Sequence, residues 1–79
     1  MVKMKLTELR KGDKALIVKL GGDNRLRTRL LELGMQKGAE IEVVKYAPLK
    51  DPLELILRGY HLSLRIKDAD NIEVEIDEK

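Results

Sequence analysis

From Glu40 onward, apolar and polar residues alternate with a period of two, which is the pattern of strands that bury one face. Four segments carry the pattern: 40–46, 53–58, 60–66 and 72–76. Residues 14–20 are a short apolar, β-branched run that Gly21 and Gly22 end, and they predict a first strand before these four. Two adjacent valines, Val43 and Val44, interrupt the alternation and indicate a bulge that bends the second strand. The third and fourth strands meet at Gly59, where a hairpin turn is predicted. The pattern favours a mainly β protein built from five short, curved strands.

One segment between the first two strands has a helical period instead. Three leucines at i, i+4 and i+7 form its apolar stripe, Leu26, Leu30 and Leu33, and Leu31 is expected to widen it. Asp23 or Asn24 can cap the N-terminus with a side-chain oxygen, and Gly34 is expected to end the helix in a left-handed conformation. We therefore predict one α-helix directly after the first strand, with its leucines packed against the sheet.

The remaining segments are interpreted as turns. Residues 6–13 are expected to form a short N-terminal turn with Thr7 as its cap. Loop 47–52 contains both prolines of the chain, so it cannot be a central strand and is restricted in shape. Residues 67–71 are polar and are predicted to form a turn or a single turn of helix.

Five short strands with one helix across them favour a closed or nearly closed small barrel, because closure removes exposed sheet edges. A chain of 79 residues supports one hydrophobic core, so residues 1–79 are predicted to form a single domain. The core is expected to contain Leu20, Leu30, Leu33, Val43, Leu55, Leu57, Leu62, Leu64 and Val74.

Composition excludes several kinds of chemistry. The chain has no cysteine, which rules out disulfides, thiolate metal ligands and thiol nucleophiles. His61 is the single histidine, so neither a histidine metal cluster nor a Ser-His-Asp arrangement can be assembled. The carboxylate pairs of the strands, Glu40 with Glu42 and Glu73 with Glu75, are interpreted as solvated strand faces. We predict no catalytic residues, no metal site and no cofactor.

Charge is distributed unevenly along the chain. The first 37 residues hold ten lysines and arginines against four acidic residues, whereas residues 38–79 hold six against ten. The helix carries the one basic cluster: Arg25, Arg27 and Arg29. Tyr46 and Tyr60 are the only aromatic residues, which argues against an aromatic groove for proline-rich peptides and against stacking of single-stranded nucleic acid.

No stretch of the sequence is apolar for the roughly 18 residues that a membrane-spanning helix needs, and the N-terminal residues lack the apolar region of a signal peptide. We therefore expect a cytoplasmic protein that does not insert into a membrane.

Three blocks of sequence, in this order and spacing, resemble the ferrous iron transport protein A (FeoA) family. They are 29–35 (RLLELGM) with Gly38 following, 47–53 (APLKDPL) and 59–65 (GYHLSLR). The resemblance extends from about Leu6 to Val74 and implies an SH3-like barrel. Many members of the family have glycine where this chain has Lys50, which concerns the conformation of the loop and not the family assignment.

The resemblance also implies a function. FeoA proteins are cytoplasmic accessory proteins of bacterial ferrous iron uptake, which work with the membrane permease FeoB and its cytoplasmic GTP-binding domain. The family is not known for catalysis of its own. A similar domain lies at the C-terminus of iron-dependent repressors, but this sequence has no helix-turn-helix segment.

Three functions remain as hypotheses at this point. The first is an interaction module that contacts an FeoB-type permease through loop residues, with Leu49, Asp51 and Tyr60 as candidate contacts and Arg25, Arg27 and Arg29 as the steering charges. The second is metal or nucleotide sensing, and the third is nucleic-acid binding through the arginines of the helix. Titration with ferrous iron, guanine nucleotide and duplex DNA separates them. Self-association is left open.

Overall fold

The computed structural model describes residues 2–76, which form one six-stranded antiparallel sheet curled around a hydrophobic core. The elements are β1 (Val2–Lys5), a 3₁₀ turn (Leu6–Glu8), β2 (Lys14–Leu20), α1 (Asn24–Glu32), β3 (Glu40–Tyr46), β4 (Leu53–Leu57), β5 (Tyr60–Leu64), α2 (Ile66–Ala69) and β6 (Ile72–Ile76). The strand order is β1-β6-β2-β3-β4-β5, so β1 and β5 lie at the two edges. The mainly β, small-barrel fold class is confirmed.

The sheet has one strand more than the five predicted. β1 pairs with β6 in the register Val2↔Ile76 to Lys5↔Glu73. Its four residues contain only two apolar positions, which is too short a pattern to indicate a strand from sequence alone. It is a strand because β6, at the far end of the chain, provides its hydrogen-bond partners.

Helix α1 begins and ends as its sequence indicates. The side chain of Asp23, and not that of Asn24, caps the N-terminus by accepting a hydrogen bond from the backbone N–H of Leu26 at 2.9 Å. At the C-terminus Gly34 has φ +93°, and the N–H groups of Gly34 and Met35 return to the carbonyls of the last turn at 2.9 and 3.0 Å. This double return is a Schellman motif, and it turns the buried Met35 back beneath the helix.

The N-terminal turn is capped differently from the prediction. Lys5 occupies the cap position, and its N–H donates to the Glu8 carboxylate at 2.8 Å. Thr7 lies inside the turn and its hydroxyl donates to Asp70 at 2.9 Å, so the prediction of Thr7 as a cap is wrong. The physical reason is that the turn begins one residue before the leucine that it buries, at the end of the unpredicted strand β1.

Two bulges bend the sheet. The predicted one lies in β3, where the register with β4 shifts between Val43 and Lys45. A second one, which the sequence pattern does not reveal, lies in β2 between Ile17 and Lys19. Bulges increase local twist, and these two help six short strands to curve around one core.

Six of the nine predicted core residues are buried, and the other three are half-buried at its margin: Leu20, Leu33 and Leu62. The core also takes residues that were not predicted, including Leu6 and Leu9 from the N-terminal turn and Met35 after the helix. These three belong to connecting segments without strand or helix periodicity, so only the tertiary fold shows that they are buried. No helix within residues 2–76 has the length and apolar character that crossing a membrane requires.

Candidate recognition surface

The loop with the two prolines, 47–52, is ordered by its own hydrogen bonds. The N–H of Lys50 donates to the carbonyl of Ala47 at 2.6 Å, which closes a tight turn with Pro48 and Leu49 at its corner. The N–H of Ala47 donates in turn to the carbonyl of Pro52 at 3.0 Å. Leu49 therefore projects from a braced turn, with 90% of its surface exposed.

Lys50 lies at a position of the loop whose backbone conformation favours glycine. Its backbone has φ +66°, in the left-handed region that favours glycine. A lysine adopts this conformation at a modest cost, so a position that favours glycine carries a cationic side chain here.

Helix α2 connects this loop to the basic helix. The carboxylate of Asp51 accepts a hydrogen bond from the N–H of Ile66, the first residue of α2, at 3.1 Å. Asp68 accepts one from the guanidinium of Arg29 at 2.7 Å, and the Asp68 side chain is only 16% exposed. Asp51 and Arg29 are therefore both held against the same short helix.

A cleft of about 470 Å³ lies beside the loop. Its lining residues are Thr7, Glu8, Leu9, Arg10, Tyr46, Lys50 and Ile66. The hydroxyl of Tyr46 donates to the carbonyl of Leu9 at 2.7 Å and fixes the floor of the cleft. Burial, and secondarily the negative charge of Asp13, raise the pKa of Tyr46 above its ordinary value. The cleft is a mainly apolar depression whose lining also includes two cations, Arg10 and Lys50, and one carboxylate, Glu8.

The structure separates Tyr60 from this surface. Tyr60 is the first residue of β5, opposite Leu57 at the hairpin turn, whereas the proline loop joins the other end of the hairpin, where Leu53 is opposite Leu64. Four strand steps, about 13 Å, lie between the two ends. The hydroxyl of Tyr60 donates to the carbonyl of Leu33 after helix α1, so its polar group is already engaged.

The three arginines of helix α1 lie on two different flanks of the helix. Arg25 and Arg29 are four residues apart on one flank, where they line a groove of about 340 Å³ together with Lys67 of α2. Arg27 lies on the opposite flank and its guanidinium contacts the side chain of Asn24. The groove is polar and mixed in charge, because Asp23 and Asp68 line it as well.

Side chains that bind metal ions do not gather in the part of the chain that the structure describes. Residues 2–76 contain no group of three histidine, aspartate or glutamate side chains that could hold a metal ion. His61 is exposed. Glu73 and Glu75 are opposite Lys5 and Lys3 of β1 in register, so these carboxylates belong to a charged sheet surface.

The chain matches the FeoA domain model over residues 4–76. It is 47% identical over 73 residues, 92% of this chain, to the Fe(2+) transport protein A/Fe(2+) transporter FeoB fusion protein of Porphyromonas gingivalis, of whose length it spans only 9%. Among solved structures, the FeoA-like protein of Clostridium acetobutylicum is similar with a TM-score of 0.89 and 32% identity, covering 100% of this chain and 92% of that one. The FeoA protein of Chlorobium tepidum is similar with a TM-score of 0.88 and 40% identity, covering 95% and 74%. A manganese-dependent transcriptional repressor shares the fold, with a TM-score of 0.86 and 15% identity over 94% of this chain and 41% of that one.

Proposed function

The chain belongs to the FeoA domain family, and on that premise we propose that it is a non-enzymatic, cytoplasmic accessory module that binds the cytoplasmic part of an FeoB-type permease. The Porphyromonas gingivalis relative carries this kind of domain and the FeoB transporter in one polypeptide. A domain joined to its partner in one chain works at high effective concentration beside it.

The exposure of Leu49 is the observation that best supports the proposal. Its side chain is 90% exposed, whereas the next most exposed leucine, Leu31, is 54% exposed. The turn that presents Leu49 is already closed by two hydrogen bonds and restricted by two prolines. Little backbone freedom is lost when such a turn docks, so more of the contact energy remains as affinity.

The surroundings of Leu49 suit a partner surface with an apolar pocket and acidic residues. Lys50 follows it in the loop, and Arg10 lies across the cleft. Arg25 and Arg29 lie beyond α2 on the neighbouring flank of the helix. These cations attract an acidic partner from a distance, while the leucine provides the desolvated contact. Asp51 acts as a positioning residue that caps α2 and holds the loop against it.

A binding titration against the cytoplasmic domain of the permease tests this proposal. Leu49→Asp is expected to weaken association by about 10- to 100-fold, because the apolar contact is lost and a carboxylate must be desolvated. The melting temperature should stay nearly unchanged, since the side chain contributes little to the core.

Leu31→Asp, measured at high salt where steering by the helix arginines is screened, is the matched control, since it places the same charge on an exposed leucine of helix α1, away from the loop. It should leave binding within about twofold of the wild-type value. Equal binding by wild type and Leu49→Asp, or a Leu49→Asp protein that no longer folds, would reject the loop as the recognition surface.

A further inference from the structure

Strand β5 has an open side. Within residues 2–76 its hydrogen-bonded neighbour is β4 alone. The two strands are joined by Arg58 and Gly59, whose φ angles of +50° and +87° are those of a type I′ turn. In such a two-residue hairpin the flanking residues, Leu57 and Tyr60, exchange backbone hydrogen bonds.

The turn also determines which N–H and C=O groups of β5 point toward β4 and which point away from it. Hydrogen-bonded pairs recur at every second residue of an antiparallel ladder, so Leu62 and Leu64 also bond to β4. The residues between them, His61 and Ser63, point their N–H and C=O groups away from β4. Both residues are exposed, so this short row of donors and acceptors faces solvent.

The two edges of the sheet are protected to different degrees. The β1 edge carries two exposed lysines, Lys3 and Lys5, which disfavour the addition of another strand. Strand β5 has the sequence Tyr-His-Leu-Ser-Leu, with no lysine, proline or bulge. Of the two edges, β5 is therefore the one that accepts another strand.

We propose that β5 pairs antiparallel with β5 of a second copy of this chain, in a register centred on Leu62. In this register the outward backbone groups of His61 meet those of Ser63 of the second copy, and the reverse, which gives four hydrogen bonds. Leu62 lies opposite its counterpart in a non-hydrogen-bonded pair, in which the two Cα atoms approach to about 4.5 Å.

The side chains of β5 also favour a second copy of this chain as the added strand. Tyr60, Leu62 and Leu64 share one face of β5, and their exposure falls along the strand from 46% at Tyr60 to 6% at Leu64. The two-fold pairing places Tyr60 beside Leu64 of the second copy, so the exposed aromatic ring extends the apolar row of its partner. On the other face, the imidazole of His61 lies beside the hydroxyl of Ser63 of the second copy. No like charges meet within the paired strands.

β5 does not contain Leu49, the contact proposed for the permease, although the pairing extends to Leu64 at the end of the hairpin that the proline loop joins. The contact is small, and the association is expected to be weak and visible at about 10 µM to 1 mM protein.

The absence of cysteine from the sequence allows a test of the register. Leu62→Cys introduces a single thiol, and two such thiols in the proposed pair lie within the Cα separation that a disulfide requires. Under mild oxidation it should form a covalent dimer at least about tenfold faster than Leu31→Cys, an exposed control on helix α1, or His61→Cys, whose counterpart faces Ser63.

Sedimentation of the unmodified protein and of Ser63→Pro gives the second measurement. Proline at 63 removes an outward N–H without removing a bond to β4, so it should abolish concentration-dependent association while the folded state persists. A wild-type chain that stays monomeric up to about 1 mM would overturn the proposal and leave the edge to an extended segment of another protein. Cross-linking of Leu62→Cys no faster than of Leu31→Cys would overturn the register.

Discussion

Two turns of this molecule place a residue other than glycine in a left-handed backbone conformation. Lys50 and Arg58 both have positive φ, at +66° and +50°, although neither is glycine. The sequence predicts turns at both places from proline and glycine, but it does not tell which residue takes the left-handed conformation. At Arg58 the conformation is imposed by the pairing of β4 with β5, and at Lys50 by the bond to the Ala47 carbonyl.

Tyr46 provides a prediction at the same scale. Its pKa is raised in the folded state, chiefly by burial, so the folded protein holds the phenolic proton more tightly than the unfolded chain does. The resulting stabilisation is complete below about pH 10 and is lost as the pH rises through the folded-state pKa. Tyr46→Phe should lower the free energy of unfolding at neutral pH by about 1 kcal/mol, because the bond to the Leu9 carbonyl is lost.

Urea unfolding of both proteins from pH 7 to about 11 measures the effect. The decline in stability above pH 10 should be shallower for Tyr46→Phe than for wild type. All other titrating side chains are common to both proteins, so the difference between the two curves isolates Tyr46. Parallel curves would show that the phenol does not favour the folded state through its proton.

At the scale of elements, helix α1 shows why a hydrophobic stripe is informative. Leu30 lies in the stripe and is fully buried, with Leu26 and Leu33 half-buried beside it. Leu31, the next residue, is 54% exposed. The expectation that Leu31 widens the stripe is therefore wrong, because neighbouring residues of a helix point in different directions and Leu30 is the one that faces the core.

Alanine at these two positions should therefore have very different effects on stability. Leu30→Ala is expected to lower the free energy of unfolding by about 2–5 kcal/mol, because it leaves a cavity between helix and sheet. Leu31→Ala keeps the helix and removes an exposed side chain, so its effect should stay within about 0.5 kcal/mol. Chemical denaturation of both variants checks the pair, and similar losses would mean that the helix does not pack through its stripe.

At the scale of the whole molecule, charge along the sequence and charge in space are different quantities. The basic half and the acidic half of the chain interleave, because acidic β6 lies between β1 and β2. Glu73 is opposite Lys5 on one side and Lys19 on the other. Such pairing neutralises the contrast between the halves locally, and the arginines of α1 remain as the concentrated positive charge.

Long-range steering by these arginines gives a prediction for binding. Arg27→Glu should lower the association rate with an acidic permease domain by several-fold at low salt, and less at high salt, with little change in melting temperature. Its guanidinium bonds to Asn24 of its own helix, whereas Arg29 holds Asp68 of α2. Lys37→Glu, the same charge change in the following loop, is the control in stopped-flow binding. Equal association rates for Arg27→Glu and wild type would exclude steering by the helix.

Local patterns in the sequence determined the elements of this protein and its family. A short β-branched run suffices for β2, period-two segments suffice for β3 to β6, and the leucine stripe, a capping aspartate and Gly34 suffice for α1, because these patterns act over a few residues. The three FeoA-like blocks predicted the family, which is confirmed. They also directed attention to the proline loop, whose role in binding stays a prediction.

Tertiary structure alone decided the rest. β1 exists because β6 pairs with it, and Leu6, Leu9 and Met35 are buried because distant elements close over them. The same packing separates Tyr60 from Leu49 and places Arg29 against α2. These features depend on contacts between residues far apart in sequence, and no local period or cap encodes such contacts. The open edge of β5 is of this kind, since only the strand order shows which strand lacks a second neighbour.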